Sequence, residues 1–254
     1  MKKTLIYVFV CVLISFVLSS CNKDKYKFPE ENIIDEAVTD VDGNTYAAVR
    51  IGNQVWMAEN LRTTKYADGT DIPLDTVGVP SRYYPDGKAA NVEKYGYFYN
   101  WDAVMNGELD TLHGRVQGIC PTGWHVPNDA EWQELVDYVW TQIDPRSDYT
   151  PAKALASTEG WEPSKNAGSP GYEPSKNNSM GFSALPAGVL FIDFDNNRIL
   201  DVGYMGIYAY FWSSSYVMVL DEFPEGRTWL IDNMGQDLRN DMLFGGCSVR
   251  CLRD

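Results

Sequence analysis

Cys120-Pro121-Thr122-Gly123-Trp124-His125-Val126-Pro127-Asn128-Asp129-Ala130-Glu131-Trp132 decides how this chain folds. The first four residues are turn material. Pro127 lacks an amide hydrogen and its ring clashes with a preceding helical turn, so a helix starts after it. Asn128 is a suitable N-cap, and Glu131 three residues on completes a capping-box pattern. Apolar residues then fall at Trp132, Leu135, Val136, Val139 and Trp140, the spacing of one buried helical face. Pro145 ends the segment.

Upstream, Thr39 to Asn60 reads as a hairpin. Asp42-Gly43 is a turn signal, Tyr46, Val49 and Ile51 are strand formers, Gly52-Asn53 turns, and Gln54 to Met57 returns. Asp40, Asp42 and Asn44 have the spacing that begins a calcium loop. Ile51 stands where the bidentate Glu belongs, so a hairpin turn is expected instead. Arg62 to Lys94 is mostly loop, punctuated by Pro73, Pro80 and Pro85. Tyr95 to Met105 reads as a strand running into a short helix, mostly core. Its aromatics could alternatively form a sugar-stacking platform.

Downstream, Thr150-Pro151 caps a short helix over Ala152 to about Ser157. A local duplication follows, G-W-E-P-S-K-N at 160–166 and G-Y-E-P-S-K-N at 171–177, repeating after 11 residues. It is expected to be an exposed loop, either a recognition loop or the product of slippage. Strands are expected at Val189–Phe194, Arg198–Val202, Tyr208–Ser214, Tyr216–Leu220, Thr228–Ile231 and Ser248–Arg253. Asp193, Asp195 and Asn197 repeat the calcium-like start, but Arg198 replaces the loop glycine and Tyr204 the bidentate Glu.

The N-terminus reads as an address. Lys2 and Lys3 precede a fourteen-residue apolar run, Leu5 to Leu18, too short to span a membrane comfortably. Leu18-Ser19-Ser20-Cys21 looks like a lipobox, so residues 1–20 are expected to be a signal peptide and Cys21 the lipid attachment site. Residues 21–37 read as a charged tether and 38–254 as one domain. The chain carries a net charge of −14, which argues against nucleic acid as a partner. Sixteen Tyr and eight Trp suggest a core built on large rings.

Catalytic signatures are absent. The histidines, His113 and His125, have no zinc-motif context. His125, beside the helix start, is expected to be a hydrogen-bonded packing residue. No G-x-S-x-G, P-loop or G-x-G-x-x-G occurs. Phe211-Trp212-Ser213-Ser214-Ser215 offers serines with no identified base. No catalytic residue, metal ligand or cofactor is assigned, and the ligand-binding residues are unknown.

Five stretches carry a family resemblance: Ile51 to Leu61 (I-G-N-Q-V-W-M-A-E-N-L), the Cys120 stretch, Gly181 to Gly188 (G-F-S-A-L-P-A-G), Phe211 to Ser215 and Ser248 to Asp254 (S-V-R-C-L-R-D). In that order they resemble the Fibrobacter succinogenes major paralogous domain, a family of bacterial envelope proteins, many of them Bacteroidota lipoproteins. W-H-V-P-x-x-x-E-W and the terminal R-C-x-R are also similar to formylglycine-generating, sulfatase-modifying domains, which have a variant of the C-type-lectin fold. The resemblances imply an α+β, C-type-lectin-like domain with two or three short helices, a twisted antiparallel sheet and long loops. Its N-terminal hairpin and C-terminal strand should be neighbours. They also imply a protein lipid-anchored in the cell envelope, at the outer membrane. It would act as a non-catalytic surface module for a glycan or a surface protein, or alternatively as a structural component. A formylglycine-type oxidase is the remote alternative, since Cys247 and Cys251 do not have that enzyme's copper-site spacing.

With Cys21 acylated and Cys11 removed, three cysteines remain, and three cannot all pair. Cys247 and Cys251, four apart in an expected strand, would sit about 13 Å from each other, too far for a bridge. Cys120 must therefore choose one of them. Cys120 and Cys251 lie in stretches that match the family and Cys247 does not, so the resemblance implies a Cys120–Cys251 disulfide with Cys247 free.

Overall fold

The computed structural model describes residues 33–109, 114–193, 196, 198–219, 223–235, 238–242 and 245–254. The expected leader, Cys21, most of the tether and His113 lie outside the described residues.

The strands are β1 (Ile33–Thr39), β2 (Thr45–Ile51), β3 (Gln54–Met57), β4 (Arg82–Tyr83), β5 (Phe98–Asn100), β6 (Trp124–His125), β7 (Val189–Asp193), β8 (Arg198–Gly203), β9 (Tyr208–Val219), β10 (Phe223–Asp232), β11 (Arg239–Met242), β12 (Gly245–Cys247) and β13 (Leu252–Arg253). The helices are α1 (Val92–Tyr95), α2 (Trp101–Met105), α3 (Asp129–Gln142) and α4 (Pro151–Leu155). The α+β class is as expected, with four α-helices among the described residues instead of two or three; α1 is a single turn. β1 begins at Ile33, ahead of the Val38 boundary, and pairs Ile33 with Val49 of β2. Isolated from its partner strand, the segment shows no period that marks it as sheet.

Three antiparallel sheets result among the described residues, ordered β1-β2-β3-β13-β6, β4-β5-β12-β7-β8 and β11-β10-β9. The hairpin forms as read, with Arg50 opposite Val55 and Ile51 opposite Gln54. β13 pairs with both β3 and β6, so the N-terminal hairpin and the chain's end are neighbours. The turn between β2 and β3 seats on α3: a Cβ at Gly52 would fall 2.8 Å from the Tyr138 ring, at a φ of +62° that glycine alone adopts freely.

α3 starts where the Cys120 stretch says it should. Asn128 Oδ1 accepts from Glu131 N at 3.0 Å and Glu131 Oε2 accepts from Asn128 N at 2.9 Å, a closed capping box. Trp132, Leu135, Val136 and Val139 are buried. Full burial of such side chains stabilises the fold by roughly 1.5–3 kcal/mol each. Trp132 lies among Trp56, Phe182, Phe211 and Trp229, with centroids 4.6 to 6.2 Å away. Trp140 departs from expectation, being 46% exposed. At 3.6 residues per turn it lies about 90° from the centre of the buried stripe, beyond the edge of what the helix packs against.

Two expected strands, Tyr208–Ser214 and Tyr216–Leu220, are the single strand β9, hairpinned with β10. One expected strand, Ser248–Arg253, is instead a crossing between sheets. Ser248 O accepts from Trp212 N, Val249 O from Leu61 N and Cys251 O from Met57 N, so successive carbonyls bond different elements and no single ladder forms. The premise that Cys247 and Cys251 share an extended strand therefore fails. The pairing nevertheless stands: Cys120 and Cys251 form a disulfide with Cα atoms 5.9 Å apart, and Cys247 is a free, buried thiol.

Candidate functional site

The stretches that carry the family resemblance meet inside the molecule. At their centre is Arg250, fully buried and, among the described residues, without a contacting carboxylate. Its Nε donates to Asn60 Oδ1 at 2.7 Å, Nη1 to the carbonyls of Met57 and Phe182 at 2.9 and 2.6 Å, and Nη2 to Ser183 O at 2.9 Å. The guanidinium lies 4.7 Å from the Phe182 centroid and 5.6 Å from that of Phe211, a cation–π pairing on both. Burial pulls its pKa down to about 9, with Glu59 acting weakly the other way. The carbonyls and rings replace the water that this charge has lost.

His125 is 1% exposed and held at both nitrogens, Nδ1 by Asp254 Oδ1 at 2.7 Å and Nε2 by Glu131 Oε1 at 3.0 Å. It is the hydrogen-bonded packing residue expected, joining the last residue to the capping box. The F-W-S-S-S serines are engaged likewise. Ser213 Oγ donates to Asp129 Oδ1 at 2.8 Å, beside Trp229 Nε1 at 2.9 Å, and Ser215 Oγ accepts from Asp129 N at 3.0 Å. These contacts clamp β9 and β10 onto the start of α3. Cys247 is sealed in the core, and burial pushes its thiol pKa well up.

The calcium-like residues hold turns. Asp40 accepts from the backbone of Asp42 and Asn44 and from Tyr46 Oη, while Asp42 Oδ2 takes the Thr64 amide and hydroxyl. In the later pattern Asp195 and Asn197 lie outside the described residues, and Asp193 caps Asn196. Among the described residues, no group of three or more His, Cys, Asp or Glu is placed to hold a metal ion.

The duplicated segment is less exposed than its composition suggests, and its copies differ. Trp161 of the first copy is buried, with Nε1 donating to Ser157 Oγ at 3.1 Å. The second copy wraps the buried Lys153 of α4. The ammonium donates to the carbonyls of Ser169, Tyr172 and Glu173 and to Asn177 Oδ1 at 2.8 Å. Burial pulls the Lys153 pKa down to about 8, against a smaller upward pull from Glu173 and a downward one from Lys176.

Two outward-facing features remain. One is an open groove of about 450 Å³ between the β2–β3 turn and the outer side of α3, lined by Asn53, Gln133, Glu134, Asp137 and Tyr138 among others. The other is the turn between β8 and β9. Tyr204 there has a φ of +64° and is 50% exposed, a rare conformation for a bulky residue and a rare position for its ring. Its carbonyl accepts from Ile207 and Tyr208 N, and Gly206 N donates to Pro186 O. Gly188 is why the turn fits: a Cβ there would sit 2.3 Å from Gly203 O and 2.8 Å from Met205 N. Glu162 of the duplicated segment donates its amide to Gly206 O at 2.7 Å. The Tyr204 ring meets Phe191 at 5.9 Å and Tyr208 at 5.1 Å, both edge to face, and Tyr208 meets Tyr210 at 5.6 Å. Sequence reading missed this turn, since a positive φ is signalled by Gly or Asn and neither stands at 204. In the aromatic stretch weighed above as a sugar platform, Phe98 and Tyr99 are fully buried.

Comparison with known proteins adds one result. The family described as the Fibrobacter succinogenes major domain matches residues 49–253. No curated protein and no solved structure matches.

Proposed function

The chain belongs to the Fibrobacter succinogenes major domain family, and we propose that it is a non-catalytic binding module of the cell envelope, lipid-anchored through Cys21, on a C-type-lectin-like scaffold. The observation that carries this reading is the position of the motif residues. Arg250, His125, Ser213 and Cys251 are all buried at 1% exposure or less. That leaves the loops and turns to meet a ligand, as loops on a rigid scaffold commonly do. Support for the scaffold comes from the pairing of the N-terminal hairpin with the last strand and from the disulfide between the turn ahead of β6 and the chain's end. Support for the anchor is the lipobox-like Leu18 to Cys21 after a short apolar run. The ligand is a glycan or a surface protein, and the location is the outer membrane.

A glycan array probed with detergent-extracted full-length protein, run beside cross-linking in intact envelopes, tests this. Saturable binding to a glycan or to one surface protein is expected. Turnover of a peptide thiol to an aldehyde on copper loading would replace this reading with the oxidase one.

A further inference from the structure

Resting on the binding-module reading, we infer that the Tyr204 turn is a carbohydrate site taking a pyranose that carries no acidic group. Tyr204 is the reason. Its φ of +64° would suit glycine without strain, yet a half-exposed tyrosine stands there. Such strain persists only where surrounding structure over-determines it, and here it does. Gly188 has no side chain to obstruct the turn, Pro186 and Glu162 bond Gly206 from two sides, and the rings of Phe191 and Tyr208 stand nearly perpendicular to that of Tyr204. Edge-to-face neighbours at 75° and 79° fix the orientation of one ring. A fixed, amphipathic tyrosine ring suits the apolar C–H face of a sugar and has little rotamer entropy to lose.

Two exposed acidic residues lie on the segments that hold the turn. Asp201 pairs across the sheet with Phe191, so both project from the same face, and Asp201 is exposed. The Glu162 side chain runs past Gly206, with Cγ 3.1 Å from where a Cβ there would be, and Glu162 is exposed too. Neither carboxylate has a Lys or Arg within 4 Å among the described residues. Two uncompensated carboxylates on a chain of net charge −14 favour neutral or amine-bearing sugars and repel uronates and sulfated sugars.

The test is saturation-transfer NMR and titration of full-length protein with oligosaccharides of glucose, N-acetylglucosamine, glucosamine and galacturonate. Tyr204→Gly removes the ring and suits the backbone, so it should fold; Tyr204→Asn, also tolerant of positive φ, serves if it does not. Tyr204→Phe keeps the ring. The inference expects binding of a neutral or amine-bearing oligosaccharide, about tenfold weaker in Tyr204→Gly and retained in Tyr204→Phe. Glycan binding undiminished in Tyr204→Gly overturns the site and leaves the binding-module reading standing. Preference for galacturonate overturns the ligand class. Binding of no sugar overturns the inference outright; cross-linking to a surface protein would then uphold the module, and its absence would end both.

Discussion

Arg250 joins several parts of the interior through one buried side chain. Removing its head leaves Asn60 Oδ1 and the carbonyls of Met57, Phe182 and Ser183 without that donor. A buried polar group left unpaired costs about 1–3 kcal/mol, so Arg250→Ala should lose roughly 4 kcal/mol or more, or fail to fold. Arg250→Lys keeps a charge and loses the planar fork, and should still lose about 2 kcal/mol. Urea denaturation reads both; a Lys variant as stable as the parent would mean that charge alone suffices. Lys153 gives a pH dependence of known sign. Its folded pKa, about 8, lies below the unfolded value, so above pH 8 the unfolded chain binds more protons. Its contribution is therefore least favourable below pH 8 and improves as pH rises towards the unfolded value. Stability of the parent should rise relative to Lys153→Met between pH 7.5 and about 9.5, below the range where the buried tyrosines titrate. A difference constant across that window would show that Lys153 does not titrate there.

At the scale of elements, local chemistry was legible and partnership was not. The start of α3 could be read because proline sterics and the Asn128–Glu131 box act within four residues. Asn128→Ala should accordingly cost about 1 kcal/mol, seen as a lower thermal midpoint; no shift would mean that the box is incidental. The β2–β3 hairpin and the Thr150 cap were legible for the same reason. Trp140, the merged β9, the crossing at Ser248 to Cys251 and the caging of Lys153 were not, because each depends on what another part of the chain presents. Tyr204 is the extreme case, since its conformation contradicts its residue type. Gly188→Ala should disrupt that turn, as the added methyl meets Gly203 O and Met205 N at a φ of +80°. A loss of about 2 kcal/mol or more is expected, and an unchanged midpoint would show that the turn yields readily.

Across the whole molecule, the Cys120–Cys251 bridge ties the turn ahead of β6 to the chain's end, across a sequence separation of 131. Chain-entropy reasoning puts its contribution at roughly 3–5 kcal/mol. Reduction should lower the unfolding midpoint, and Cys247 should stay unmodified by alkylating agents until the domain opens; rapid alkylation of Cys247 in native protein would contradict its burial. Intact mass of membrane-extracted protein should show a chain beginning at an acylated Cys21, and an unmodified N-terminus elsewhere would exclude the anchor. The proposed division of labour between a sealed motif centre and a ligand-binding outward turn can be read in one measurement, hydrogen–deuterium exchange of the full-length protein with and without whichever ligand the array or cross-linking identifies. Ligand-dependent protection at residues 160–162 and 201–210, with none at 57–60, 182–183 and 248–254, is the predicted result. Protection confined to the segments around Arg250 would contradict it.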